Sequence, residues 1–249
     1  GCRADEDRCT RGASTATGTA MTSFVFAPPP VPAVPVAGLA ERFPVRRVYC
    51  VGRTYAEHAR EMGQDPDREP PVFFQKNPDN LLIGGGEFPY PAKSADVHFE
   101  IELVVALHEG GRDIPAERAL DHVYGYAVGL DMTRRDLQGI AKKMGRPWEV
   151  GKAVERSAPI SPIVRAAAIG HPVRGRIWLE QNGVVRQDGD LAELIWSVPE
   201  TIAHLSGLFE LAPGDLIFTG TPAGVGPVQR GDHLRGGVEG VGELAVRVV

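Results

Sequence analysis

Apolar and polar positions along the chain alternate or cluster in short runs, cut by glycine or proline at close intervals. Arg46-Arg47-Val48-Tyr49-Cys50-Val51 is a β-branched and aromatic run stopped by Gly52, the pattern of a strand. Similar runs at 72–75, 98–107, 125–130, 177–180, 216–219 and 244–249 predict further strands. Helical periodicity is clearest at 132–143, where Asp131 or Thr133 is a plausible start, and at 198–208, opened by Pro199-Glu200. A short helix over 55–62 is predicted behind Thr54-Tyr55-Ala56-Glu57, which has capping-box spacing. No internal repeat and no regular βαβ alternation is visible. The pattern therefore predicts a strand-rich α+β fold with a few short helices and excludes a doubly wound parallel sheet.

The first 44 residues differ in texture. Residues 1–20 are small, polar and aperiodic, and Met21 follows them directly, so they are expected to be a disordered leader or upstream extension. Residues 21–44 include Ala27-Pro28-Pro29-Pro30-Val31-Pro32-Ala33-Val34-Pro35-Val36, too proline-rich for a helix or central strand and expected to form an extended arm. A single packed domain is expected over 45–249. With 43% hydrophobic and 24% charged residues, the chain can bury a substantial core, so disorder is excluded as the main state. The net charge is −5 and no long basic run occurs, which argues against nucleic acid or an anionic membrane as partner. Apolar runs such as 103–107 fall far short of the roughly 18–20 residues of a membrane-spanning helix. Cys2, Cys9 and Cys50 match no disulfide or zinc framework, which fits a cytoplasmic protein acting on a small molecule.

The alternation His98-Phe99-Glu100-Ile101-Glu102-Leu103 puts His98, Glu100 and Glu102 on one strand face, with the two carboxylates about 7 Å apart along the strand. This is either a solvated face or a pair of oxygen ligands for a hard divalent cation. Asp131 ends another apolar run, as a helix cap or a ligand aimed into a cleft. Arg135 and Gln138 share one helix face, where they can grip an oxyanion or simply meet solvent. His58 and Glu61, at i and i+3, are either a general-base dyad or an exposed charge pair. The stretch from Gly145 to Ala153 fails as a phosphate loop, having one spacer too many and Ala153 in place of Ser or Thr. Cys50 reads as core. The turn Thr219-Gly220-Thr221-Pro222-Ala223-Gly224-Val225-Gly226 either offers backbone amides to an anion or is only a tight turn.

Several pieces occur together in order: Val51-Gly52-Arg53-x-Tyr55-x-x-His58, Phe74-x-Lys76, His98-x-Glu100-x-Glu102-Leu103, Gly129-x-Asp131-x-Thr133-x-Arg135-Asp136-x-Gln138, Lys152, Asn182-Gly183 with Arg186-Gln187, and Thr219-Gly220-Thr221-Pro222. In this combination the sequence resembles the fumarylacetoacetate hydrolase family from about Arg46 to Val249, with Pro147-Trp148-Glu149 and residues 133–138 favouring its acylpyruvate hydrolases. The resemblance implies a mixed β-sandwich roll, a homodimer and a divalent metal, Mg²⁺ or Mn²⁺. It places Glu100, Glu102 and Asp131 as metal ligands, Lys152 as the active-site lysine, and His58 with Glu61 as the water-activating pair. Arg53, Tyr55, Lys76, Arg135, Gln138 and Thr221 fall on substrate or oxyanion contacts. Thr54, Phe99, Asn77 and Val154-Glu155 depart from the usual family residues.

The implied reaction is metal-assisted hydrolysis of the carbon–carbon bond of a 2,4-dioxo acid, with fumarylpyruvate the expected substrate in aromatic-compound degradation. The same scaffold also serves oxaloacetate decarboxylases and hydroxyhepta-dienedioate isomerases. A rival from another class is a non-catalytic metal- or ligand-binding module, against which the retained Lys152 and His58 argue.

Overall fold

Strands dominate because the apolar runs are short, β-branched and punctuated by glycine and proline. The computed structural model describes residues 23–52, 54, 55 and 69–249. Residues Gly1–Pro30 and Val31–Val249 cluster as separate units; the described part of the first, 23–30, has no helix or strand. The expected leader 1–20 and the expected helix over 55–62 lie outside the described residues, except for Tyr55 at the start of the latter.

An eight-stranded mixed sheet runs in the order β4 (Val72–Lys76), β3 (Arg47–Gly52), β15 (Asp215–Phe218), β8 (Ile101–Leu107), β9 (Val123–Leu130), β11 (Ala158–Ile160) and β5 (Leu81–Ile83), with β12 (Val164–Arg165) also paired to β9. A five-stranded sheet has the order β14 (Val184–Asp190), β13 (Arg176–Gln181), β17 (His233–Val238), β18 (Gly242–Val248) and β6 (Gly86–Phe88). A small third sheet joins β10 (Thr133–Arg134), β7 (Val97–Phe99) and β16 (Gly226–Pro227). The helices are α1 (Arg135–Lys143), α2 (Glu149–Lys152), α3 (Ala166–Ile169) and α4 (Val198–Leu208).

Side-chain alternation in the large sheet divides its residues between two apolar clusters. Tyr49, Val51, Leu103, Val105 and Leu107 enter one, which is closed by Ile177, Leu179, Leu234, Leu244 and Val246 of the five-stranded sheet. Val48, Cys50, Val104, Ala106, Leu216 and Phe218 enter the other. The second cluster is covered by the proline-rich segment: β1 (Ala33–Pro35) and β2 (Arg42–Pro44) pair only with each other, and Val34, Val36, Phe43 and Val45 are buried there. Central strands buried on both faces explain the continuous apolar runs of β8, β9 and β15.

Two expectations about local structure are corrected. The alternating run 98–107 is not one strand but two, β7 and β8, which belong to different sheets and are separated at Glu100. The antiparallel partner breaks at the same level, between Leu130 of β9 and Thr133 of β10, and the Asp131 amide donates to the Glu100 carbonyl at 2.9 Å. The helix expected over 132–143 begins only at Arg135, with Arg134 at its N-cap and no side-chain cap. Pairing of Thr133 with His98 and of Arg134 with Val97 keeps those residues extended, so neither Asp131 nor Thr133 opens the helix. α4 is capped by Ser197, which forms a capping box with Glu200.

Candidate active site

The shared sheet switch places the acids. Glu100 lies at the break, Glu102 one pleat further into β8, and Asp131 in the facing break, so all three side chains converge from adjacent strands. Each offers a carboxylate oxygen within 4.8 Å of the others, and their exposures are 6%, 1% and 0%. The solvated strand face considered for Glu100 and Glu102 is thereby excluded. Asp131 caps nothing and faces the cluster.

Cations surround two of the acids. Lys152 Nζ donates to Asp131 Oδ2 at 2.6 Å, Glu100 Oε2 at 2.9 Å and Thr133 Oγ1 at 2.6 Å. It reaches them because α2 lies close against α1: a Cβ on Gly151 would stand 2.9 Å from the Gln138 backbone nitrogen. Burial works against the Lys152 charge, but Asp131 and Glu100 outweigh it and hold the ammonium above its ordinary pKa. Lys76, at the end of β4, pairs with Asp131 Oδ1 at 2.9 Å and donates to Ser157 Oγ at 2.9 Å, the Met132 carbonyl at 3.1 Å and the Lys152 carbonyl. Its ammonium is thus held by protein oxygens, which makes Lys76 an organiser of the site. Arg135 Nη2 donates to Glu100 Oε1, and Nη1 to Gln138 Oε1 at 2.6 Å. The pair that read as an oxyanion grip is therefore internally joined, yet the buried Arg135 Nε has no hydrogen-bond partner among the described residues.

Glu102 is different. Its Oε2 accepts the Gly220 amide at 2.8 Å, so the glycine-rich turn does receive an anion, and the anion is the protein's own carboxylate. Burial, then Asp131 and Glu100, push the Glu102 pKa well above the usual carboxylate range despite that amide. Position 220 requires glycine, because φ is +94° and a Cβ would fall 1.7 Å from Thr54 Oγ1. A buried carboxylate without an ion pair is costly. Three converging oxygen donors, one of them with no ion pair among the described residues, have the chemistry to hold a hard divalent cation.

Beside Gly220, Thr54 Oγ1 is buried, as is the Tyr55 hydroxyl, and neither has a hydrogen-bond partner among the described residues. Burial, and next the Glu102 charge, raise the Tyr55 pKa. The Ile195 amide donates to the Thr54 carbonyl at 2.7 Å, and Tyr55 forms a bridge with Leu194. Thr221 is buried beside Gly220 and accepts from Gln187 Nε2 at 2.8 Å. Arg53, His58 and Glu61 lie outside the described residues. Sequence reasoning gave Thr133 only a possible place at a helix start, and assigned no role to Ser157 or Gln187. Thr133 and Gln187 stood inside recognisable motifs, whereas Ser157 carries no local signal.

Residues 47–249 match the sequence profile described as fumarylacetoacetate (FAA) hydrolase, C-terminal. The chain belongs to the fumarylacetoacetate hydrolase family. Among members of that family, the fumarylpyruvate hydrolase of a Ralstonia species is 43% identical over 189 residues, covering 75% of this chain and 98% of that protein. The mitochondrial oxaloacetate decarboxylase of Dictyostelium discoideum is 39% identical over 196 residues, covering 79% and 90%. A crystal structure of fumarylpyruvate hydrolase from Pseudomonas aeruginosa, in complex with Mn²⁺ and pyruvate, superposes with a TM-score of 0.89 at 55% identity, covering 91% of this chain and 99% of that one. The strand-rich α+β architecture expected from the sequence is the fold of this fumarylacetoacetate hydrolase family chain.

Proposed function

We propose that this chain is a divalent-metal-dependent hydrolase that cleaves the carbon–carbon bond of acylpyruvates, converting fumarylpyruvate to fumarate and pyruvate. The observation that carries the reading is the buried cluster of Glu100, Glu102 and Asp131, framed by Lys152 and Arg135. The likeness to a fumarylpyruvate hydrolase crystallised with Mn²⁺ and pyruvate supports the substrate class.

Glu100, Glu102 and Asp131 would hold Mg²⁺ or Mn²⁺, which when bound supplies Lewis-acid stabilisation to charge developing on the pyruvate half. The protein's own groups do the rest. His58, oriented by Glu61, takes a proton from the attacking water. Lys152 places a fixed positive charge next to the carbonyl under attack, and the Arg135 Nε–H, which no described residue accepts, offers a donor to the oxyanion. Gln138 accepts from Arg135 through Oε1, so its amide nitrogen is the end left to donate. Arg53, Tyr55 and Thr221 complete the substrate contacts, Tyr55 with a hydroxyl that has no hydrogen-bond partner among the described residues.

A homodimer working in the cytoplasm belongs to the same reading; among the described residues no helix is long and apolar enough to cross a membrane, and light scattering tests the dimer. The relative named oxaloacetate decarboxylase favours decarboxylation as the second reading. A coupled pyruvate-release assay on a panel of acylpyruvates and oxaloacetate, with and without Mg²⁺ or Mn²⁺, decides. Metal-dependent release from fumarylpyruvate in preference to oxaloacetate is expected; silence on every compound returns the chain to the non-catalytic binding modules.

A further inference from the structure

Gln187 lies on β14, fully buried, and its amide spans three groups. Oε1 accepts the Ile101 amide at 3.0 Å, while Nε2 donates to the Pro222 carbonyl and to Thr221 Oγ1, each at 2.8 Å. Two of these partners fix the orientation of the amide, because a backbone N–H can only donate and a backbone carbonyl can only accept. The nitrogen must therefore face Thr221, and the threonine oxygen must accept. A hydroxyl that accepts from its protein neighbour still has one proton to donate. Thr221 makes no other hydrogen bond among the described residues, and it is 3% exposed. Both ends of the Gln187 bridge touch the acidic cluster through the backbone. Ile101 stands between Glu100 and Glu102, and Thr221 follows the glycine whose amide holds Glu102.

We propose that Gln187 is a positioning residue that presents Thr221 to the substrate as a hydrogen-bond donor. By filling the acceptor side of the hydroxyl, it directs the O–H proton toward an oxygen that can only accept, such as a substrate carboxylate or the oxyanion of the transition state. The inference deepens the function proposed above and rests on it. It also assigns a preference: where Thr221 meets the substrate, the site takes an anionic or carbonyl oxygen and rejects an amide or amine nitrogen, whose protons would oppose the threonine proton.

The test compares wild type, Gln187→Glu, Gln187→Met, Thr221→Val and the Gln187→Glu/Thr221→Val double variant in pyruvate release with Mn²⁺, each first checked for cooperative unfolding. In Gln187→Glu the new carboxylate can only accept, so it captures the Thr221 proton. A fall in kcat/KM of about 10²-fold, equal to that of Thr221→Val, is expected, and the double variant should be no worse than either single. Gln187→Met loses all three bonds but leaves the proton free, so it should lose less than Thr221→Val. A merely architectural role predicts the reverse order, with Gln187→Met the worst. Additive losses in the double variant, or Gln187→Met at least as impaired as Thr221→Val, overturn the inference. Should Gln187→Glu fail to fold, the Gln187→Met comparison alone decides. Turnover with an unchanged Gln187→Glu overturns this inference only, whereas a silent wild type overturns the functional reading and this inference together.

Discussion

The Gly220 amide donates to Glu102 Oε2 at 2.8 Å, and among the described residues this one neutral donor answers a carboxylate that is almost wholly buried. Glu100 and Asp131 are matched by Lys152, Lys76 and Arg135, so Glu102 holds the charge that a cation would satisfy. Its conversion to Gln keeps an oxygen for Gly220 and removes the charge. In Glu102→Gln the metal-free protein should unfold at or above the wild-type temperature, since a carboxylate whose ionised form burial and two neighbouring acids disfavour is replaced by a neutral amide. The stabilisation given by Mn²⁺, about 2.7 kcal/mol at a hundredfold excess over Kd in the wild type, should be absent, and turnover with it. Thermal melts with and without metal, together with the pyruvate-release assay, check both outcomes. Metal-dependent stabilisation retained by the variant would remove Glu102 from the site.

Lys76 is buried with its ammonium against Asp131 and three further protein oxygens, and it joins β4 to the backbone of residues 132 and 152. Lys76→Met keeps the length and deletes the charge, leaving acceptors unpaired in a dry interior. Breaking a buried pair from one side costs about 3–5 kcal/mol, and urea titration should show a loss of that size. The paired change Lys76→Met/Asp131→Asn should recover part of it, because the carboxylate left with Lys152 as its one described cationic partner is then neutral.

What the sequence made legible was the chemistry of single elements, and what it hid was their pairing. Period-two alternation placed Glu100 and Glu102 on one face, and the strands at 47–52, 177–180 and 244–249 were readable within a residue or two of their observed ends. The break of β7 from β8 at Glu100 was not readable, because it depends on a switch of sheet partners made jointly with Asp131, thirty-one positions away. Asp131 read first as a helix cap and only second as a ligand, since capping and ligation call for the same residue at the end of an apolar run. Strands β14 and β17 escaped notice because one is largely exposed and polar and the other carries Gly236-Gly237. Gln187 could not be assigned: one glutamine in a strand says nothing until Ile101 and Thr221 are brought to its two ends.

His58 and Glu61 are assigned by their spacing and by the family resemblance, so their roles call for a kinetic test. His58→Ala should leave Mn²⁺ and pyruvate binding intact while slowing hydrolysis by about 10²-fold or more, the usual loss on removing a general base. Calorimetry with Mn²⁺ and with pyruvate gives the first quantity and single-turnover kinetics the second. An unchanged rate would show that the pair is only a surface contact.

Asp136 joins the loop before β7 to the first turn of α1, and so sets the approach of the two elements that carry His98 and Arg135. Its carboxylate accepts the Ser94 hydroxyl at 2.8 Å, the Ala95 amide at 3.0 Å and the Leu137 amide at 2.8 Å. Partial burial acts to raise its pKa, but those donors, led by the Ala95 amide, outweigh it and hold the value below the ordinary 3.8. A group whose folded pKa is depressed lends stability that is fully present above its unfolded pKa and disappears as pH falls through the folded one. Asp136→Asn should accordingly cost about 1–2 kcal/mol at neutral pH, the scale of charge-assisted hydrogen bonds near a helix start. The gap between variant and wild type should stay constant down to about pH 4, near the ordinary aspartate pKa, and close below it. Urea midpoints measured from pH 7 to pH 3 follow that gap, and a difference that widened on acidification would mean that the carboxylate is not the stabilising form.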